Sequence, residues 1–241
     1  MRTVILHHHL FKNAGTSLDQ ILKDNFGNAW VTREFSASPA PHGNTPEVES
    51  WIRDNPEAVA FSSHTMMGPP PQVDGVRIVS MILLRDPIDR IKSAYRFERT
   101  QVADTFGAVL AKHTDLEGYV KVRLSLKHDR QCRNFQTSRL AALAPGKGSE
   151  LERARQALER ITVVGLVADF AGAVARLTGE ISHTFPNFRW QEVHSNRSDA
   201  ASATQGHTDL DELLKLHNTD DLTLLSELSS PDPIAPPVAA P

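Results

Sequence analysis

The chain has a single cysteine, Cys132, among 241 residues, so no intrachain disulfide can form and a reducing compartment is the expected setting. No run approaches the ~18 consecutive apolar residues that a membrane span requires. The N-terminus lacks the basic, then apolar, then small-residue order of a secretory signal. A basic surplus is missing too: 26 Lys and Arg against 29 Asp and Glu give a net charge of −3. Broad electrostatic binding to nucleic acid or to an anionic membrane is therefore not expected, and any bound anion must be held locally. There is no internal repeat. What is present is an average globular composition, 40% hydrophobic and 23% charged, long enough for one well-buried domain. A soluble, cytoplasmic protein is the expectation.

Along the chain, short apolar runs alternate with helical patterns. Thr3 to Leu6 is fully apolar, as a strand buried on both faces of a parallel sheet would be. Leu18, Ile21, Leu22 and Phe26 then recur at helical spacing, with Gly27 as a C-terminal cap. Residues 36–49 are loop-like and lead through Pro46 into a helix. "EAVAFSSH" predicts a second strand ending at Ser62, Ser63 and His64. Val76 to Pro87 contains the clearest strand, followed by a helix from about Ile88. Residues 104–143 read as several helices with basic interruptions. "GSELERARQALERI", "ADFAGAVARLTGEI" and "DELLKLHNTDDLTLLSEL" predict further helices, and "TVVGL" a strand. The pattern predicts one α/β domain over residues 1–228, with a mainly parallel central sheet flanked by helices. The proline-rich tail, 229–241, is expected to be disordered.

Ligands of such a sheet sit at the carboxyl ends of its strands. Three candidate motifs, at 12–17, 62–64 and 85–93, follow strand ends. "KNAGTS" offers Lys12 as a cation, Gly15 for close backbone approach, and Thr16 and Ser17 as hydroxyl donors. The helix expected from near Ser17 adds free N–H groups and a partial positive charge. The nucleotide-triphosphate loop places its lysine between the second glycine and the hydroxyl. Here the lysine comes three residues before the glycine, and Thr16 stands where that lysine would be. Spacing alone leaves open an anion site or an ordinary capped helix. For Arg85 and Asp86 the plain alternative is a surface ion pair beside Pro87.

"HHHLFKNAGTSLDQIL" resembles the 5′-phosphosulfate-binding loop of sulfotransferases that use 3′-phosphoadenosine 5′-phosphosulfate (PAPS). It is most similar to the carbohydrate branch, of heparan and chondroitin type. "ILLRDPIDRIKSAY" resembles the 3′-phosphate site of the same family, and "CRNFQTSRL" and "VVGLVADFAGAVARL" also look like that branch. The resemblance covers roughly residues 3–200. It implies a three-layer fold like that of the nucleotide-triphosphate-loop kinases. It also implies that Lys12, Asn13, Ala14, Gly15, Thr16 and Ser17 hold the 5′-phosphosulfate, and Arg85 and Ser93 the 3′-phosphate. Asn196, in "VHSNRS", is expected in a loop over the nucleotide. An arginine suits that phosphate because its planar fork donates two hydrogen bonds.

Sulfuryl transfer needs a base for the acceptor hydroxyl, in-line placement, and stabilisation of the leaving phosphate. Lys12 suits the third role. His64 is the favoured base, since imidazole titrates near neutrality; the carbohydrate branch has a histidine in this segment. A second histidine, found two residues earlier in some relatives, is Ser62 here. His7, His8 and His9 are competing bases, with His8 expected in the substrate pocket. Adjacent histidines on an extended strand point to opposite faces and cannot converge on one tetrahedral ion, so no metal is expected. Arg133 and Gln136, in "RNFQTSRL", are candidates for acceptor binding or for clamping the cofactor. Read as it stands, the chain begins at its first strand with no anchor before it. The implied acceptor is then a soluble or cytoplasmic-face carbohydrate, or another hydroxyl-bearing small molecule. The rival readings are a small-molecule kinase using ATP and a non-catalytic nucleotide-binding module.

Overall fold

The computed structural model describes residues 1–36, 43–191 and 208–229; Asn196 and the proline-rich segment from residue 230 lie outside them. The described residues form two compact units, one built from Met1–Leu84 and the segment beginning at Arg139, the other from Arg85–Ser138 and the two C-terminal helices.

The first unit holds the sheet. Its strands are β1 (Arg2–His8), β2 (Trp30–Thr32), β3 (Ala60–Ser63), β4 (Val76–Leu84) and β5 (Val163–Leu166). They lie in the order β2-β3-β1-β4-β5, and every pairing is parallel. This is the α/β class expected from the alternation of short apolar runs with helices. β1 is central, with Ile5 opposite Ala60 of β3 and Val79 of β4. The short β2 is absent from the sequence reading, since three residues give too little alternation to detect.

Alternate side chains of β1 point to opposite faces. On one face Ile5 packs with Val79, Met81 and Leu83 of β4. Covering them are Leu18, Ile21 and Leu22 of α1 (Gly15–Phe26) and Ala173, Val174, Leu177 and Ile181 of α8 (Phe170–Ile181). On the other face Val4, Leu6 and Phe61 pack with Val48, Trp51 and Ile52 of α2 (Thr45–Asp54). Pro46 stands in the first turn of α2, as predicted. Gly27, at φ 54°, ends α1 in a conformation that costs glycine least.

The second unit is helical: α3 (Pro87–Thr100), α4 (Phe106–His113), α5 (Leu116–Ser125), the first turn of α6 (Phe135–Ala141), α9 (Thr208–His217) and α10 (Thr219–Ser229). Its core joins Ile91, Tyr95, Ala111, Tyr119, Val120, Cys132, Leu210 and Leu214. Cys132 is fully buried here and burial pushes its thiol up to about 12, which fits a packing residue. In the first unit, α7 (Glu150–Arg160) opens with a reciprocal capping box between Ser149 and Glu152. Among the described residues no helix is long and apolar enough to cross a membrane.

Candidate functional site

The loop from β1 to α1 is bent by backbone conformation rather than by a side-chain cap. Lys12 and Ala14 both lie in the left-handed region, at φ 63° and 57°. For residues with a Cβ this costs roughly 1–2 kcal/mol each. Between them Asn13 is buried, and its Nδ2 donates to the Leu83 carbonyl of β4 at 2.8 Å, tying the loop to the sheet. The turn at Ala14 starts the helix at Gly15, two residues before the position expected from Ser17, and no side chain caps it. Thr16 is exposed, and Lys12 and Ser17 are half-buried. The N–H groups of Ser17 and Leu18 both donate to the Ala14 carbonyl, at 3.0 and 3.3 Å, while Gly15 and Thr16 precede the first carbonyl that a helical N–H can reach. The loop thus places a cation, two hydroxyls and a helix N-terminus together at the carboxyl end of the central strand.

The histidines before the loop are divided by the pleat. His7 and His9 are on the α1 side, where Asp19 receives both: Oδ1 accepts from His7 Nδ1 and Oδ2 from His9 Nδ1, each at 2.8 Å. Burial pushes the Asp19 carboxyl up, but the hydrogen bonds from the two histidines outweigh it and hold the group far below the usual carboxylate range. The argument that neighbours point apart holds for His8 and fails for His7 and His9, which are two residues apart and share a face. The ligand atoms of His7, His9 and Asp19 lie within 4.8 Å of one another. Pairing of each carboxylate oxygen with its own Nδ1 at hydrogen-bond length accounts for this arrangement. His8 is buried on the opposite side of β1; burial first, then His7 and Arg139, lower it to about 3, so it is neutral.

His64 follows β3, the strand beside β1. Its ring stacks on His9, with centroids 3.9 Å apart and planes 30° from parallel. Glu34, two residues past β2, reaches it: Oε1 accepts from His64 Nδ1 at 2.8 Å, and both carboxylate oxygens lie 3.2 Å from the His64 backbone nitrogen. Thr65 Oγ1 donates to Glu34 Oε2 at 2.8 Å. Burial raises the Glu34 carboxyl, and the hydrogen bonds from His64 and Thr65 more than reverse this, leaving it below its ordinary value. Arg139 donates to the His64 carbonyl. His8, His9, Ser63, His64 and Arg139 all line one small cavity.

Arg85 and Ser93 belong to the second unit. Arg85 is the first residue after β4, and its backbone is clamped by Gln136: Arg85 N donates to Oε1 at 2.8 Å, and Nε2 donates to the Arg85 carbonyl at 2.7 Å. Asp86 caps α3 by accepting from the N–H groups of Ile88 and Asp89, so it is a helix cap. Ser93 is part-exposed in the middle of α3. Gln136 is buried, and α6 begins on Asp221, which accepts from the backbone of Gln136 and Thr137 and from the Thr137 hydroxyl. Arg133 donates to the Leu124 carbonyl at 2.6 Å. The "RNFQTSRL" segment therefore builds the frame that holds Arg85.

Glu34 and Asp19 are the participants that sequence reasoning did not assign to the site. A recognised β2 would have pointed to Glu34, because it too follows a strand end.

No family model matches the sequence. An uncharacterized protein of Archaeoglobus fulgidus is 39% identical over 203 residues, covering 81% of this chain and 79% of its own. The two proteins belong to one family. Among solved structures, a sulfotransferase from Alicyclobacillus acidocaldarius aligns over 95% of this chain and 96% of its own, with a TM-score of 0.43 and 15% identity.

Proposed function

We propose that this protein transfers a sulfuryl group from PAPS to a hydroxyl of a carbohydrate acceptor. The observation that carries the reading is the pairing of two adjacent parallel strands. β1 runs into the Lys12–Ser17 loop, and β3 runs into a half-exposed histidine whose Nδ1 is tied to a carboxylate. The same loop and the Arg85–Ser93 segment resemble the two phosphate sites of the sulfotransferases.

The residues present suit the donor. Lys12, Gly15, Thr16 and Ser17 offer an anion a positive charge, two hydroxyls and helix N–H groups. The resemblance assigns the 3′-phosphate to Arg85, whose backbone Gln136 fixes; a planar guanidinium suits a phosphate. Bound there, PAPS supplies a sulfuryl group attached to a phosphate that can leave. The chain's own part is positioning, charge and one proton. With its Nδ1 proton donated to Glu34, neutral His64 keeps a lone pair on Nε2. That atom takes the proton of the acceptor hydroxyl as the oxygen bonds to sulfur. Lys12 holds the negative charge that gathers on the departing phosphate, which is worth most in the transition state. His9, stacked on His64 and bonded to Asp19, keeps the base from swinging away.

Calorimetry with 3′-phosphoadenosine 5′-phosphate against ATP, followed by a labelled-sulfate transfer screen over glycans, tests this. Tight binding of the bisphosphate and magnesium-independent transfer support it. Tight ATP binding without bisphosphate binding overturns it in favour of a kinase. Bisphosphate binding with no transfer to any glycan or small hydroxyl compound leaves a nucleotide-binding module.

A further inference from the structure

The Glu34–His64 contact is held from more sides than an ordinary surface pair. The carboxylate meets the His64 ring, the His64 backbone N–H and the Thr65 hydroxyl, with the Ser63 hydroxyl 3.4 Å away. All of these donors come from one short stretch, Ser63 to Thr65, at the carboxyl end of β3. Two further restraints fix the same residue, the stack on His9 and the Arg139 bond to its carbonyl. Yet the two side chains remain 47% and 52% exposed. Exposed ion pairs add little to stability, so the concentration of bonds calls for another account. A solvent-accessible imidazole exchanges its proton between the two nitrogens, and a hydrogen bond to one of them decides the tautomer.

We propose that Glu34 is a positioning residue that keeps the His64 proton on Nδ1 and so reserves Nε2 for the acceptor hydroxyl. This rests on the reading of His64 as the base in sulfuryl transfer. Glu34 itself is poorly suited to take the proton, because its oxygens already accept from His64 and Thr65. The sequence conceals the pair: the residues are 30 apart, and Glu34 sits in an unremarkable "TREF" stretch.

The test joins nitrogen-15 NMR of histidine-labelled protein with steady-state kinetics on the wild type, Glu34→Gln and Glu34→Asp. In Glu34→Gln the amide oxygen is taken by the backbone N–H and the Thr65 hydroxyl, which turns the amide nitrogen toward His64. The expected result is a proton on Nδ1 in the wild type and on Nε2 in Glu34→Gln, whose kcat falls by about 10²–10⁴-fold, the usual span of general-base catalysis. KM for PAPS should be unchanged. Glu34→Asp, which keeps a carboxylate, should retain the Nδ1 proton and recover much of the rate. A wild-type proton on Nε2 overturns the proposal, as does loss of turnover in Glu34→Gln with an unmoved tautomer, which would make Glu34 the proton acceptor itself. If the tautomer responds as expected but the wild type transfers sulfate to nothing, the positioning role stands and the sulfotransferase reading falls.

Discussion

His9 occupies the space that a side chain at Gly15 would need. A Cβ built on Gly15 would lie 2.1 Å from Cδ2 and 2.3 Å from Nε2 of His9. The ring cannot yield easily, because Asp19 holds Nδ1 and His64 stacks on its face. Gly15→Ala should therefore destabilise the protein by about 1–3 kcal/mol, the usual cost of overpacking. Urea denaturation measures this. The same variant should bind 3′-phosphoadenosine 5′-phosphate more weakly, since the loop must shift to make room.

On the proposed reaction, Lys12 acts mainly in the transition state. Lys12→Met should lower kcat by about 10²–10³-fold, as removing one stabilising donor typically does. Affinity for the bisphosphate product, which lacks the sulfuryl group, should change by less than about tenfold in calorimetry. Equal losses in the two measurements would show uniform binding and remove Lys12 from the transition state.

His8 should make the fold acid-sensitive. Its folded value is depressed to about 3 by burial, with His7 and Arg139 adding to the effect, whereas in the unfolded chain it titrates near 6.5. Between those values the unfolded state binds the extra proton, so stability falls as pH falls. The full contribution is present above about pH 6.5 and is lost progressively toward pH 3. His8 alone contributes a slope approaching about 1.4 kcal/mol per pH unit in the middle of that window. Denaturation midpoints from pH 7 to 4 should show a shallower slope for His8→Gln than for the wild type.

In the helical unit, buried Arg123 joins two part-buried carboxylates, Glu98 at 2.9 Å and Asp129 at 2.7 Å. Its guanidinium also lies over Tyr119, 5.0 Å from the ring centroid. Arg123→Met leaves both acids without their cation. A loss of about 3–5 kcal/mol is expected, the cost of breaking a buried pair from one side. Thermal unfolding followed by circular dichroism reads it directly.

The parts legible in the sequence are those governed by local repetition. The apolar run around Val4–Leu6 and the spacing of Leu18, Ile21 and Leu22 set a strand and a helix because side-chain direction repeats every 2 or 3.6 residues. The same logic found the long β4 and missed the three residues of β2. Without that strand Glu34 is hidden, and the divergence of adjacent strand residues does not separate His7 from His9, which converge on Asp19. Gln136 and Arg133, candidates for acceptor binding or for clamping the cofactor, make hydrogen bonds that no local pattern predicts: Gln136 to the Arg85 backbone and to Asp221, Arg133 to the Leu124 carbonyl.

The sequence by itself determined an α/β protein with a lysine-bearing loop, a histidine and an arginine each placed just after a strand, because these follow from short-range pattern and chain order. Tertiary structure alone decided which side chains hold them. Glu34 meets His64 across 30 residues, Asn13 meets Leu83 across 70, and Asp221 meets Gln136 across 85. Those pairings depend on which strands lie side by side and which helix returns to cap another. That is fixed by burying the two faces of one sheet and the core of a helical unit, not by any local preference of the residues concerned.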